Sequence, residues 1–166
     1  MPGPISIGDE APNFDLSSTE ECLLMLKDEV VRTALVLYFF ADPASERVLR
    51  DLDTLNAQLD SLVKRQVRVL AVSPVPLDAL KALQRERKLL FPLLHDDRNF
   101  SAAYGVAAEP ALVVVGRGRE VRWIANPVAA VEPALPAVER ALKGMPPATG
   151  SYPGSVINRW IDRRVR

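Results

Sequence analysis

The sequence predicts an α/β fold: a central mixed β-sheet, largely parallel with an antiparallel edge, and helices on both faces. Three stretches predict it. Ala34–Phe40 is a continuous apolar run rich in β-branched and aromatic residues, which suits a strand covered on both faces. Asp42-Pro43 follows as a helix start, an N-cap acceptor with proline at the first helical position. Val48, Leu49, Leu52, Leu55, Leu59 and Leu62 then repeat at helical spacing up to Lys64. Val67–Ser73, V-R-V-L-A-V-S, is the second strand, followed after Pro74-Val75-Pro76 by a helix over Leu77–Lys88. Strand, helix and strand in that order make a right-handed parallel crossover unit. Near the end, Gly116-Arg117-Gly118-Arg119 is a hairpin-like turn that returns Glu120–Ile124 antiparallel at the sheet edge.

The 166 residues suit one domain with a sizeable core. We place it over 1–143, followed by a Pro/Gly-rich linker and a short basic amphipathic tail over 144–166. From Lys143 onward there are five basic residues and one acid. Val156, Ile157, Trp160 and Ile161 fall on one side of a short helical pattern there, suited to docking on the chain's own acidic body or on a second copy, with contact to a membrane surface or nucleic acid as the alternative. Formal net charge is zero, so the chain as a whole advertises no nucleic acid or membrane partner. Cys22 is the one cysteine. An intrachain disulfide and a cysteine-built zinc site are both excluded, and no cofactor is implied. No apolar run reaches the length of a membrane span, and the first ten residues lack the basic and hydrophobic regions of a signal peptide. The expected location is the cytoplasm.

Taken from its start, the chain opens with Gly8-Asp9-Glu10-Ala11-Pro12-Asn13-Phe14-Asp15-Leu16, which lays Phe14 and Leu16 onto the core. Ser17–Val31 reads two ways. Ser18-Thr19-Glu20-Glu21 resembles a capping box before a helical face of Cys22, Leu23, Leu26 and Val30, while E-C-L-L-M-L also suits a short strand. Cys22, set among Leu23, Leu24 and Met25, reads as a buried or half-buried small hydrophobe, with a reactive thiol as the other possibility. His95, the one histidine, reads as a solvated loop residue. Ser101–Val106 is a short helix with Gly105 as its C-terminal cap. Ala129–Lys143 closes the domain as a helix with Val131, Leu135, Val138 and Leu142 on its apolar face.

Several of these stretches resemble one family. Gly8–Leu16 matches a G-x-x-A-P-x-F-x-L opening. Phe39-Phe40-Ala41-Asp42-Pro43 stands where redoxins carry F-W-A-x-W or a similar run. Val67–Ser73, Phe91-Pro92-Leu93-Leu94-His95-Asp96-Asp97 and Ala103-Tyr104-Gly105-Val106 follow in the same order as in peroxiredoxins. The chain is identified as similar to the alkyl hydroperoxide reductase/thiol-specific antioxidant proteins, the peroxiredoxin branch of the thioredoxin superfamily, over residues 8 to 124. The resemblance implies a thioredoxin-like fold of the peroxiredoxin type and a reactive cysteine at the start of the helix after Phe40. In its place stand Ala44 and Arg47 at the two C-x-x-C positions, or Ser45 at the peroxidatic position. It also implies a cis-proline at Pro110. Glu109 and Pro110 occupy the region where the family carries a peroxide-polarising arginine.

Two functions follow. One is a redoxin-fold protein that has lost the redox cysteine and serves as a non-catalytic binding or interaction module. Its candidate pocket is Asp42, Pro43, Ala44, Ser45, Arg47, Glu109 and Pro110, open to a small anion or a protein partner at the helix N-terminus. The other is an atypical thiol-dependent antioxidant oxidoreductase, a peroxidase acting through Cys22. Serine cannot stand in for the thiolate, because its hydroxyl is far more basic and no histidine base lies in the motif. A homodimer is implied by the resemblance alone.

Overall fold

The structure is a computed structural model that describes residues 5–97, 99–107 and 109–143; the linker and tail predicted over 144–166 lie outside the described residues. Its elements are β1 (Asp15–Ser18), β2 (Leu23–Met25), α1 (Leu26–Glu29), β3 (Ala34–Phe39), α2 (Glu46–Lys64), β4 (Val67–Ser73), α3 (Leu77–Arg87), β5 (Leu93–His95), α4 (Phe100–Ala103), β6 (Ala111–Val115), β7 (Val121–Ala125), a 3₁₀ turn (Glu132–Ala134) and α5 (Leu135–Leu142). Seven strands form one sheet in the order β2-β1-β5-β4-β3-β6-β7.

The parallel centre is β5-β4-β3, with Ala34 opposite Val67 and Phe39 opposite Val72. Every residue of β3 and β4 is buried, the condition under which a strand can be apolar throughout. On the far side of β3, β6 runs antiparallel, from Leu35 opposite Val115 to Phe39 opposite Ala111, and β7 runs antiparallel to β6. One core layer holds Ala34, Val36, Tyr38 and Phe40 against α2, α3 and α5. The other holds Leu35, Leu37 and Phe39 against Phe14, Leu16, Leu26 and Tyr104. The three long helices therefore share one face; α1, α4 and the N-terminal segment cover the other. No described helix is long and apolar enough to cross a membrane.

Ser17–Val31 resolves as a β1–β2 hairpin followed by a single helical turn. The capping-box residues are spent on the hairpin: Glu20 N–H donates to Ser18 Oγ at 3.2 Å and Glu21 takes a φ of 60° in the turn. The sheet thus gains a second antiparallel edge, since β1 pairs antiparallel with β5. Pro133 and Pro136 divide the closing helix into the 3₁₀ turn and a shorter α5, because proline is tolerated only in the first turn of each. Gly105 takes a φ of 74° just after α4, the left-handed position that ends a helix. His95 is half-buried rather than solvated, with Nδ1 2.8 Å from the Val75 carbonyl.

Candidate functional site

The chain leaves the carboxyl end of β3 at Phe40 and enters α2. Asp42 is not the helix cap. Its Oδ1 accepts the Ala44 N–H at 2.9 Å, closing a tight turn over Pro43. That turn delays the helix, and Ser45 becomes the N-cap, with extended backbone and Oγ accepting the Val48 N–H at 3.4 Å. Ser45 is therefore occupied as a structural acceptor where the resemblance places a thiol.

Asp42 and Ala44 are exposed and bonded to each other; Glu109 is exposed; Pro110 is buried at the start of β6. The Arg47 guanidinium donates to the Val128 carbonyl. Val128 N–H in turn donates to the Pro110 carbonyl at 2.8 Å. Pro110 and Arg47 are thus linked through one residue of the loop after β7. Among the described residues the cis peptide is Asn126–Pro127, in that loop, and not Glu109–Pro110.

One turn along α2, Asp51 makes the contact that sequence reading missed. It is 2% exposed. Oδ2 accepts the Tyr38 hydroxyl at 2.7 Å, and Oδ1 accepts the Val131 N–H at 2.9 Å. The available signal was a carboxylate at position 51 inside the Val48–Leu52–Leu55 stripe, since a buried carboxylate demands partners. Arg47 and Asp51 together fasten the loop over residues 128–131 to the first two turns of α2. Burial, and then the bond and charge of Asp51, hold the Tyr38 hydroxyl far above its ordinary value, with Arg47 opposing weakly; burial also raises Tyr104.

That has a consequence at high pH. A folded-state value above the unfolded one means stability is fully present below the ordinary tyrosine pKa of 10.0. It is lost as pH rises beyond that, by about 1.4 kcal/mol per pH unit for each buried tyrosine. Urea midpoints are expected to hold level from neutral pH to about 9 and to fall steeply above about 10. In Tyr38→Phe the fall should be shallower; an equal slope in wild type and variant would refute the assignment.

Residues 7–124 match the AhpC/TSA family model. The chain belongs to the AhpC/TSA family. No curated protein sequence matches it, but its fold is shared with solved peroxiredoxin structures. Peroxidoxin BcpB from Mycobacterium tuberculosis superposes with a TM-score of 0.77 at 15% identity, over 84% of this chain and 97% of that one. Xanthomonas campestris peroxiredoxin Q gives 0.72 at 21% identity, over 78% and 89%. Mycobacterium tuberculosis AhpC gives 0.73 at 19% identity, over 84% and 92%.

Against that family frame, the chain's one thiol stands in the wrong place. Cys22 lies in the β1–β2 turn and is exposed, not buried or half-buried as its apolar neighbours predicted; the hairpin turns it outward at the sheet edge. Its Sγ is 3.4 Å from Ser18 Oγ. Strands β1, β5 and β4 separate β2 from β3, so at ~4.8 Å per strand roughly 19 Å lies between Cys22's edge and the strand that feeds α2. Among the described residues, no cluster of His, Cys, Asp or Glu could hold a metal ion.

Proposed function

We propose that this AhpC/TSA-family chain is a non-catalytic redoxin-fold protein, a binding or interaction module. The observation that carries the reading is Ser45. It occupies the N-cap of α2, where a redoxin needs a thiolate, and its hydroxyl is engaged with Val48. Arg47, the nearest cation of that first turn, is committed to the Val128 carbonyl. Asp42 already supplies a carboxylate to the Ala44 N–H, which favours a neutral or protein partner over a small anion at this end.

Thiol chemistry at Cys22 is a second reading, favoured by its exposure. Its thiolate would attack one peroxide oxygen, releasing water or an alcohol and leaving a sulfenic acid for an outside thiol to reduce. Against it, Cys22 stands in the β1–β2 turn and not at the start of α2, where the resemblance places the redox thiol.

Peroxide consumption by the purified full chain with excess dithiothreitol, beside Cys22→Ser, separates the two. The expected result is no turnover above the reductant blank in either sample. Turnover that vanishes in Cys22→Ser would overturn the non-catalytic reading.

A further inference from the structure

To reach β6 after β5, the chain must cross the carboxyl ends of β4 and β3, because the sheet order is β5-β4-β3-β6. The described residues 96, 97, 99–107, 109 and 110 belong to that crossing, and several bonds hold it in place. Asp96 accepts the N–H groups of Phe100 at 2.7 Å and Ser101 at 2.9 Å. The Tyr104 hydroxyl donates to the Pro12 carbonyl at 2.5 Å, and Asn126 Nδ2 donates to the Gly105 carbonyl at 2.8 Å. Beneath the bridge is a half-open cleft of about 230 Å³, with Phe40, Val72 and Pro74 on the strand side and Asn99, Ser101 and Val106 on the crossing side, Pro74 and Asn99 being exposed at its mouth. Residues 42–47, Glu109 and Pro110 take no part in its walls.

The lining sets the chemistry. Its described lining side chains are uncharged, so none of them offers a charged ligand a partner for the hydration it would lose. Its polar side chains are Asn99 and Ser101, which share a long 3.4 Å bond from Ser101 Oγ to Asn99 Oδ1. A ligand hydroxyl or carbonyl can replace that bond. An apolar cavity of about 150 Å³ accepts benzene, so the space here fits one ring and a short substituent. Its position, outside the carboxyl ends of parallel strands, is where open α/β sheets take ligands.

We propose that this cleft binds a neutral small molecule: an apolar body about the size of one six-membered ring, with a single hydroxyl or carbonyl against Asn99 and Ser101. The inference deepens the reading of the chain as a binding module and rests on it.

The test is a titration of the isotope-labelled full chain with benzyl alcohol, followed by amide NMR. Saturable shifts at Ala41, Ser101, Val106 and Ala107 are expected, with a dissociation constant near millimolar for a ligand of about eight non-hydrogen atoms. Ser101→Ala should weaken binding about three- to tenfold, the worth of one hydrogen bond. Val106→Trp, which fills the space, should abolish it while the remaining spectrum stays dispersed. Benzoate should bind at least about tenfold more weakly, because none of the described lining side chains offers its charge a partner. Absence of saturation with wild-type protein would sink the proposal, as would undiminished binding in Ser101→Ala or Val106→Trp. Shifts by benzoate centred on Ala44–Arg47 would move the site to the helix end. Peroxide turnover in the same samples reports separately on the non-catalytic reading, so either idea can fail alone.

Discussion

Asp51→Ala is expected to lower the unfolding free energy by about 2–4 kcal/mol. The substitution strands two buried groups at once, the Tyr38 hydroxyl and the Val131 N–H. Each unsatisfied group costs about 1–3 kcal/mol, and relief from burying a carboxylate offsets part of the sum. For a domain of this size the melting temperature should fall by roughly 6–12 °C. Asp51→Asn should cost about 1 kcal/mol, since the amide can still accept from Val131 and meet the Tyr38 hydroxyl. Tyr38→Phe removes only one partner. Combined with Asp51→Ala it should cost at least about 1 kcal/mol less than the two singles added, because both lose the same bond. Urea denaturation of wild type and the four variants decides the matter. Additive costs, or an Asp51→Ala variant within about 1 kcal/mol of wild type, would show that the network does not hold the loop to α2.

The same network shows where reading from sequence reaches its limit. Ala34–Phe40 was legible because burial on both faces leaves an unbroken apolar run; Val67–Ser73 keeps that pattern except at Ser73 and at Arg68, which is buried against Glu29 at 2.6 Å. The α2 stripe was legible because 19 residues span five turns. Ser17–Val31 was not, because β2 has three residues and α1 four, too few for either period to declare itself. Asp42 and Ser45 are both good caps; the choice fell to Ser45 because Asp42 closes its own turn onto Ala44. Tyr38 and Asp51 are 13 residues apart, and each alone looks like an ordinary polar residue in an apolar segment. The missing thiol was visible at once, since it needs only residue identity. The exposure of Cys22 was not, since it depends on which edge of the sheet the hairpin joins.

Restoring a thiol at the helix end tests how much of the family's chemical environment survives. In Ser45→Cys/Cys22→Ser the new sulfur takes the N-cap of a 19-residue helix, facing the Val48 N–H that now binds Ser45 Oγ. Free N–H groups and the helix dipole favour a thiolate there. The Asp42 carboxylate and Glu46 oppose it, and Arg47 is held by Val128. We expect the first effect to win, because the N–H groups of the first turn lie nearest the sulfur. Alkylation against pH should then give a midpoint below about 7.5 instead of the free-cysteine value of about 8.5, and roughly tenfold more thiolate at pH 7. Peroxide should oxidise this thiol stoichiometrically, while turnover should stay slow, because the resemblance places a peroxide-polarising arginine in the region that Glu109 and Pro110 occupy. Loss of the serine cap should cost about 1 kcal/mol. A midpoint near 8.5 would mean that Asp42 and Glu46 have neutralised the helix end, and that the scaffold lost the environment as well as the cysteine. Fast turnover would mean the reverse, that one side chain at position 45 is all that separates this chain from a working peroxidase.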